Sequence, residues 1–256
     1  MKKRIGAGKS YADILTVLLV IIIIAVVALL GFFAYKIIDK KHTDAVASSA
    51  NDEFLAAAEA NKKRLAKTKN ENKVEIPTEV DYDKASSILN DGNLSEIVAA
   101  PEEQEEAEIQ KTYLGNYEVK GLIDIPKTGC KYSILERVTV DSLKKSVAIL
   151  DIYANPELNR KVTDLNVPGT NAFILGHNYR NGQFFSNNDR LTIGDKINIT
   201  DQTGEEITYT IYHMFYTTPD DASFMERDID VNTREITLQT CNDDSSERLI
   251  IFAKDN

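Results

Sequence analysis

Twenty-two consecutive residues without a charge, 14–35, most of them Ile, Val and Leu, constrain this chain more than any other feature. As a helix rising 1.5 Å per residue the run reaches about 33 Å, enough to cross a hydrocarbon core of about 30 Å. It is longer than the apolar core of a secretory signal, and the Tyr35-Lys36-Ile37-Ile38-Asp39 stretch after it lacks a small-x-small cleavage pattern. A buried core helix is the alternative reading. Lys2, Lys3, Arg4 and Lys9 precede the run, and Lys36, Lys40 and Lys41 follow it, partly offset by Asp39. That bias favours a cytoplasmic tail (1–13), a transmembrane signal anchor (14–35) in the plasma membrane, and a body outside. Gly6-Ala7-Gly8-Lys9-Ser10 has the look of a phosphate-binding loop, but its first required glycine falls on Lys3 and no strand precedes it.

The rest of the chain is acidic. The formal net charge of −10 divides into +5 over residues 1–41, −8 over 42–111 and −7 over 112–256. An acidic body argues against nucleic-acid binding, which needs basic surface to replace phosphate counterions. Two cysteines, Cys130 and Cys241, make neither a disulfide scaffold nor a Cys-based zinc site.

Residues 36–111 read as an extracellular spacer. Phe54-Leu55-Ala56-Ala57-Ala58-Glu59-Ala60 continues into Lys62-Lys63-Arg64-Leu65 with good helix propensity. With Phe54, Leu55 and Leu65 as its large apolar side chains, it reads as a semi-rigid stalk rather than a packed domain. Pro77 and Pro101 punctuate it, and the acidic run 102–108 reads as a solvated face.

From residue 112 the texture changes. Short β-branched segments at 119–125, 147–152, 172–175, 196–200, 206–216, 235–240 and 248–253 alternate with turn residues. Seven or eight short strands in about 145 residues predict an all-β domain, an antiparallel barrel or a sandwich. Short helices are expected near 141–146 and 187–191.

The reactive side chains fall at strand ends. His177 follows Phe173-Ile174-Leu175-Gly176, where an apolar strand opens into a loop. Cys241 ends Ile236-Thr237-Leu238-Gln239-Thr240, and Arg248 begins the next strand seven residues later. Antiparallel neighbours joined by a short polar loop would bring Cys241 and Arg248 to one end of the sheet. If His177 opens there too, the three converge. A thiolate attacks carbonyls, an imidazole takes the thiol proton and returns one to a leaving amine, and a guanidinium holds an oxyanion. Taken singly, each has a plainer reading: a buried small Cys, a structural His, a surface Arg. Metal binding by His177, His213 and Cys241 lacks a closely spaced ligand pair.

Four segments in order carry a resemblance. Thr237-Leu238-Gln239-Thr240-Cys241 with Arg248 seven positions on, Leu175-Gly176-His177-Asn178, Gly121-Leu122-Ile123-Asp124-Ile125-Pro126 and Leu191-Thr192-Ile193-Gly194-Asp195-Lys196-Ile197 resemble sortases, the cysteine transpeptidases of Gram-positive surfaces. The resemblance covers roughly residues 113–256. It implies an eight-stranded β-barrel in which Cys241 attacks the Thr–Gly bond of a Leu-Pro-x-Thr-Gly-like sorting signal on a surface protein. His177 would serve as acid and then base, and Arg248 would stabilise the oxyanion or position the signal. Thr240 would contribute a contact near the thioester. The acyl group would pass to an amine of a peptidoglycan precursor or another acceptor. A peptidase that only hydrolyses the signal, and a non-catalytic barrel that binds wall proteins, are the alternatives.

The subclass stays open. No second apolar run follows residue 253, as pilus-polymerising sortases often have, and the 217–234 stretch is short for a class B enzyme although the 126–132 region has a class B look. No cofactor or metal is expected. Calcium on Asp220, Asp221, Glu226, Asp228 and Asp230 is the alternative to a plain solvated loop. Cys130 reads as an incidental small residue rather than a redox partner of Cys241.

Overall fold

β-branched residues alternating with polar ones favour extended chain with one buried face, and a sheet of such strands removes its unpaired edges most completely by closing. A computed structural model, describing residues 7–71 and 108–255, shows that closure. The strands are β1 (Thr112–Leu114), β2 (Tyr117–Ile125), β3 (Cys130–Leu135), β4 (Val147–Ala154), β5 (Thr170–Leu175), β6 (Lys196–Asp201), β7 (Glu206–Thr217), β8 (Arg234–Cys241) and β9 (Arg248–Lys254). They pair in the order β1-β2-β3-β4-β5-β8-β9-β7-β6, and a further β2–β6 pairing closes the ring. Eight strands form the barrel, and β1 is a short hairpin arm on β2. Of the barrel and the sandwich, the barrel is the fold.

Two pairings are parallel, β3 with β4 and β5 with β8. The first crossover carries a one-turn helix near the expected position, Ser142–Lys145, and a 3-10 turn at Asn188–Arg190 occupies the second expected one. Register shifts between Val119 and Gly121, Ile149 and Asp151, and Ile211 and His213 bend the strands at bulges. Ile123, Ile125, Ile134, Leu135, Ile174, Ile197, Ile199, Leu238 and Ile250 are fully buried and form much of the core.

Two strands are missing from the sequence reading, the three-residue arm β1 and the barrel strand β3. Strand β3 follows directly on the Pro126–Gly129 turn and begins Cys-Lys-Tyr, so its apolar end, Ser133-Ile134-Leu135, was too short a signal alone. Cys130 is its first residue, paired with Ile125 and fully buried. Burial pushes its thiol pKa well up, the state of an inert core cysteine. Both cysteines are free.

The chain divides into two compact units, residues 1–48 and 49–256. In the first, helix α1 (Ala7–Glu71) carries the apolar run, and the described residues from Asp13 to Asp39 are exposed. It is the one helix among the described residues long and apolar enough to cross a membrane. A soluble core helix would bury that surface, so the exposure fits a membrane anchor. The Lys2, Lys3 and Arg4 cluster, Pro77, Pro101 and most of the acidic run lie outside the described residues.

In the second unit, residues 49–71 of α1 do not stand clear as a stalk but lie on the barrel. Ala50, Phe54 and Ala58 pack with Leu114, Tyr117, Val119, Leu122 and Leu135. Asn51 donates to the Lys131 carbonyl (2.9 Å) and accepts from Ser133 Oγ (2.8 Å). Asn61 donates to the carbonyls of Gln110 (2.9 Å) and Gln202 (2.8 Å) and accepts from Gln110 N (2.8 Å). Gly204, at φ +80°, lets the β6–β7 turn approach closely, since a Cβ there would meet the Ala58 carbonyl at 2.6 Å. The docking face is built of alanines and asparagines, hence its silence in a search for large apolar residues. Phe54 is its largest buried side chain, with Leu55 partly buried beside it. We expect Phe54→Ala to destabilise the domain by about 3–5 kcal/mol, read by denaturant unfolding. A loss under 1 kcal/mol would show that the helix contributes little to the barrel.

Candidate active site

The parallel pairing of β5 with β8 decides what meets at the barrel end. Leu175 is the register partner of Gln239, and Gly176 N continues the ladder to the Gln239 carbonyl at 3.1 Å. Both chains leave the sheet together, one into His177 and the other into Cys241. On the far side of β8, Cys241 and Arg248 are direct antiparallel partners, so their side chains leave the same face of the sheet. The loop between them is tightened by Asn242 N to the Glu247 carbonyl and Ser245 N to the Asn242 carbonyl, both 3.1 Å. His177, Cys241 and Arg248 therefore gather at one end of three adjacent strands. The sequence alone left the first of these placements conditional.

Each group has a distinct setting. Cys241 is half-buried. His177 is also half-buried, and its ring stacks on Tyr179 at 4.8 Å. Tyr179 leans on Phe184 at 5.6 Å, and Phe184 on Tyr132 at 4.9 Å. Gly176 is required beside it, because a Cβ would meet the Phe185 ring at 2.6 Å. Burial, and then the positive charge of Lys144, hold the His177 pKa below the ordinary imidazole value. The neutral ring, able to accept a proton, therefore persists to lower pH than in free imidazole. Removing the Lys144 charge takes away a penalty on the protonated form. Lys144→Gln is thus expected to raise the His177 pKa, moving its NMR titration midpoint to higher pH. An unmoved midpoint would show that burial alone sets it.

Arg248 Nη1 donates to the carbonyls of Ser245 (3.3 Å) and Glu247 (3.2 Å). Among the described residues the guanidinium makes no ion pair with a carboxylate.

Asn178 was quoted only as part of the Gly-His segment, yet it ties the site together. Its Nδ2 donates to the Cys241 carbonyl (3.1 Å) and to Asp243 Oδ1 (3.2 Å), and its Oδ1 accepts from Arg180 N (3.0 Å). Its position directly after His177 was the available signal. Thr240 is buried, and its Oγ1 has no hydrogen-bond partner among the described residues.

Other candidates do not join the site. His213 lies on β7, stacked between Phe215 (5.3 Å) and Phe252 (5.8 Å). In the β7–β8 loop, Asp221 accepts from Ser223 N (2.9 Å) and Ser223 Oγ (2.6 Å), and Asp230 from Asn232 N (2.8 Å). Among the described residues no three His, Cys, Asp or Glu side chains are grouped as metal ligands.

A barrel closed in this order brings to one end a thiol, an imidazole and a guanidinium, the groups that acyl transfer through a thiol requires. The sequence comparison makes the family specific: the family model described as "Sortase domain" matches residues 123–256. The chain belongs to the sortase family.

Among solved structures, a Clostridium perfringens sortase D5 transpeptidase is 28% identical, covering 54% of this chain and 79% of its own, with a TM-score of 0.43. A pilus-related sortase C of Group B Streptococcus is 26% identical over 54% of this chain and 67% of its own, with a TM-score of 0.44. A lid mutant of sortase A from Corynebacterium diphtheriae is 21% identical over 82% of this chain and 95% of its own, with a TM-score of 0.45. No curated protein matches the chain.

Proposed function

We propose that this sortase is a membrane-anchored cysteine transpeptidase that cleaves a Leu-Pro-x-Thr-Gly-like signal between Thr and Gly and transfers the acyl group to an amine of the cell wall. Membership of the family supports the reaction type. The observation that carries the residue roles is the meeting of His177, Cys241 and Arg248 at the ends of β5, β8 and β9. Cys241 loses its proton to His177 and attacks the Thr carbonyl. Arg248 faces the negative charge that develops on oxygen. The C–N bond breaks as His177 gives its proton to the Gly nitrogen, leaving a thioester on Sγ. The acceptor nitrogen then forms the new amide bond, the C–S bond breaks, and the nitrogen's surplus proton passes to His177. Asn178 acts as a positioning residue through the Cys241 carbonyl.

The test is the full chain in detergent micelles with a signal peptide, with and without an added amine. Cleavage and an amine-dependent amide product are expected. Release of the free acid alone, whatever the amine, would make the protein a peptidase. Uncut peptide across a panel of signals would overturn the proposal.

The exposed apolar helix supports work at the membrane. With Lys2, Lys3, Arg4 and Lys9 ahead of the apolar run, the short tail lies inside and the barrel outside. Surface proteins bearing the signal and wall precursors bearing the amine are then its partners. Protease added to intact protoplasts is expected to digest the barrel, and an uncut barrel would reverse the orientation.

A further inference from the structure

Nothing polar holds the His177 ring. Its backbone is fixed on both sides, by Gly176 N on the Gln239 carbonyl and by Phe185 N on the His177 carbonyl, each 3.1 Å. Among the described residues, however, the imidazole makes no hydrogen bond and no ion pair. A histidine that moves protons must face its partners in one orientation, and a third group ordinarily supplies it. No carboxylate takes that part here: Asp243 is turned to Asn178 Nδ2 (3.2 Å). The contact of defined geometry that the ring does make is with Tyr179, 4.8 Å between centroids and 30° between planes.

Tyr179 is itself held from behind. Its ring leans on Phe184 (5.6 Å), and Phe184 leans on Tyr132 of β3 (4.9 Å), so a row of rings runs from a barrel strand to the imidazole. The row is buried at its root and open at its tip, with Phe184 2% and Tyr179 41% exposed. The loop is shaped to keep it. Tyr179 N donates to Ser186 Oγ (3.0 Å), and that hydroxyl donates to the Gln183 carbonyl (2.6 Å). Asn178 and Phe184 form a β-bridge across the loop. Phe184 sits at φ +52°, a left-handed conformation that a bulky side chain adopts only where its surroundings enforce it. In that conformation its ring touches both Tyr132 and Tyr179.

We propose that Tyr179 is the positioning residue of His177: its ring, backed by Phe184 and Tyr132, sets the plane in which the imidazole takes the Cys241 proton and hands it to the leaving nitrogen. This inference rests on the transpeptidase reading, in which His177 is acid and then base. A stacked ring suits that double duty. A carboxylate would orient the imidazole but would also stabilise its protonated form, and so hold back the proton. An aromatic ring touches the face of the imidazole, which leaves both nitrogens available in its plane. The titratable and charged side chains of the elements around His177 are Tyr179 and Arg180 on its own loop, Lys144 of the one-turn helix, Cys241 of β8, Asp243 of the loop that follows and Arg248 of β9. Burial, then Lys144, holds the His177 pKa down, and Tyr179 supplies part of that burial by covering the ring.

Tyr179→Ala and Tyr179→Phe, each in the full chain in micelles with a signal peptide as donor, test this. The alanine variant is expected to lower kcat about tenfold, a part of the 10²–10⁴ that acid–base catalysis supplies, with the donor KM held within about twofold. Uncovering the ring lets water reach the protonated imidazole and favours it. The acid limb of kcat/KM and the NMR titration midpoint of His177 should therefore both move to higher pH. Tyr179→Phe keeps the ring and should recover most of both losses. On the unsubstituted protein, nuclear Overhauser contacts between the His177 and Tyr179 ring protons are expected, whatever the fold of the variants. Their absence would overturn the proposal, and so would an unchanged kcat in the alanine variant. An equal loss in the phenylalanine variant would assign the effect to the hydroxyl and overturn it too. A raised donor KM at constant kcat would do the same, by making Tyr179 a contact for the signal. A parent that leaves the donor uncut would defeat the transpeptidase reading instead, since the ring contacts and the titration are read without turnover.

Discussion

Cys241→Ala is expected to abolish both signal cleavage and amide formation, while the melting temperature stays within a few degrees of the parent. The thiol is the only nucleophile the mechanism offers, so no residual pathway bypasses it. Removing a half-buried sulfur at the last residue of β8 leaves a shallow gap rather than a core cavity, so the stability loss should fall well short of the 2–5 kcal/mol of a buried large-to-small change. Retained turnover would assign the chemistry elsewhere. Lost turnover with a large drop in melting temperature would show a structural role for the sulfur. Cys130→Ala makes the contrast. Its thiol is buried at the far end of β3, five residues and about 17 Å of strand from Leu135, so it should lower stability and leave kcat unchanged.

Arg248→Lys is the second large effect. Arg248 is the register partner of Cys241, and its guanidinium is anchored through Nη1 to two loop carbonyls. The remaining N–H groups of the planar fork are held in a fixed direction while the charge stays put. An ammonium keeps the charge but cannot both hold the two carbonyls and present a flat pair of donors. Loss of an oxyanion contact typically costs about 10²–10³ in kcat, and a fall of that order is expected with little change in donor KM. A rise in donor KM at constant kcat would instead make Arg248 a binding residue for the signal. Near-normal kinetics would leave it only a loop anchor.

Much of this was legible in the sequence, for identifiable reasons. The membrane run is declared by length and absence of charge alone. Strands β8 and β9 are rich in apolar and β-branched residues and are joined by a polar hexapeptide, so their pairing, and with it the Cys241–Arg248 partnership, could be read directly. His177 was harder, because β5 meets β8 in parallel with β6 and β7 between them in the chain. Only the closed order of strands shows that both open at the same end. Strand β3 was missed because its first three residues looked like the tail of a turn. The helix docking was missed because asparagine and alanine carry it, through hydrogen bonds from Asn51 and Asn61 and the close approach at Gly204. The acidic cavity beside Cys241 had no linear signature at all. Asp189, Tyr216 and the 243–247 acids belong to three segments that only the folded chain brings together.

The helix packing also bears on how the protein is handled. A chain begun at residue 75 would strip Phe54 and both asparagines from the barrel and expose Leu114, Tyr117 and Leu122. The intact chain is therefore the right material for measuring the chemistry.

The proposed reaction places a thioester on Cys241 between substrate and product. Intact-protein mass spectrometry of the full chain, quenched in acid after mixing with signal peptide in the absence of amine, tests it most directly. A species heavier by the acyl portion of the peptide up to its Thr is expected, mapped to Cys241 and discharged by hydroxylamine or by an added amine. Turnover of the peptide with no adduct on Cys241, or an adduct that maps to another residue, would contradict it.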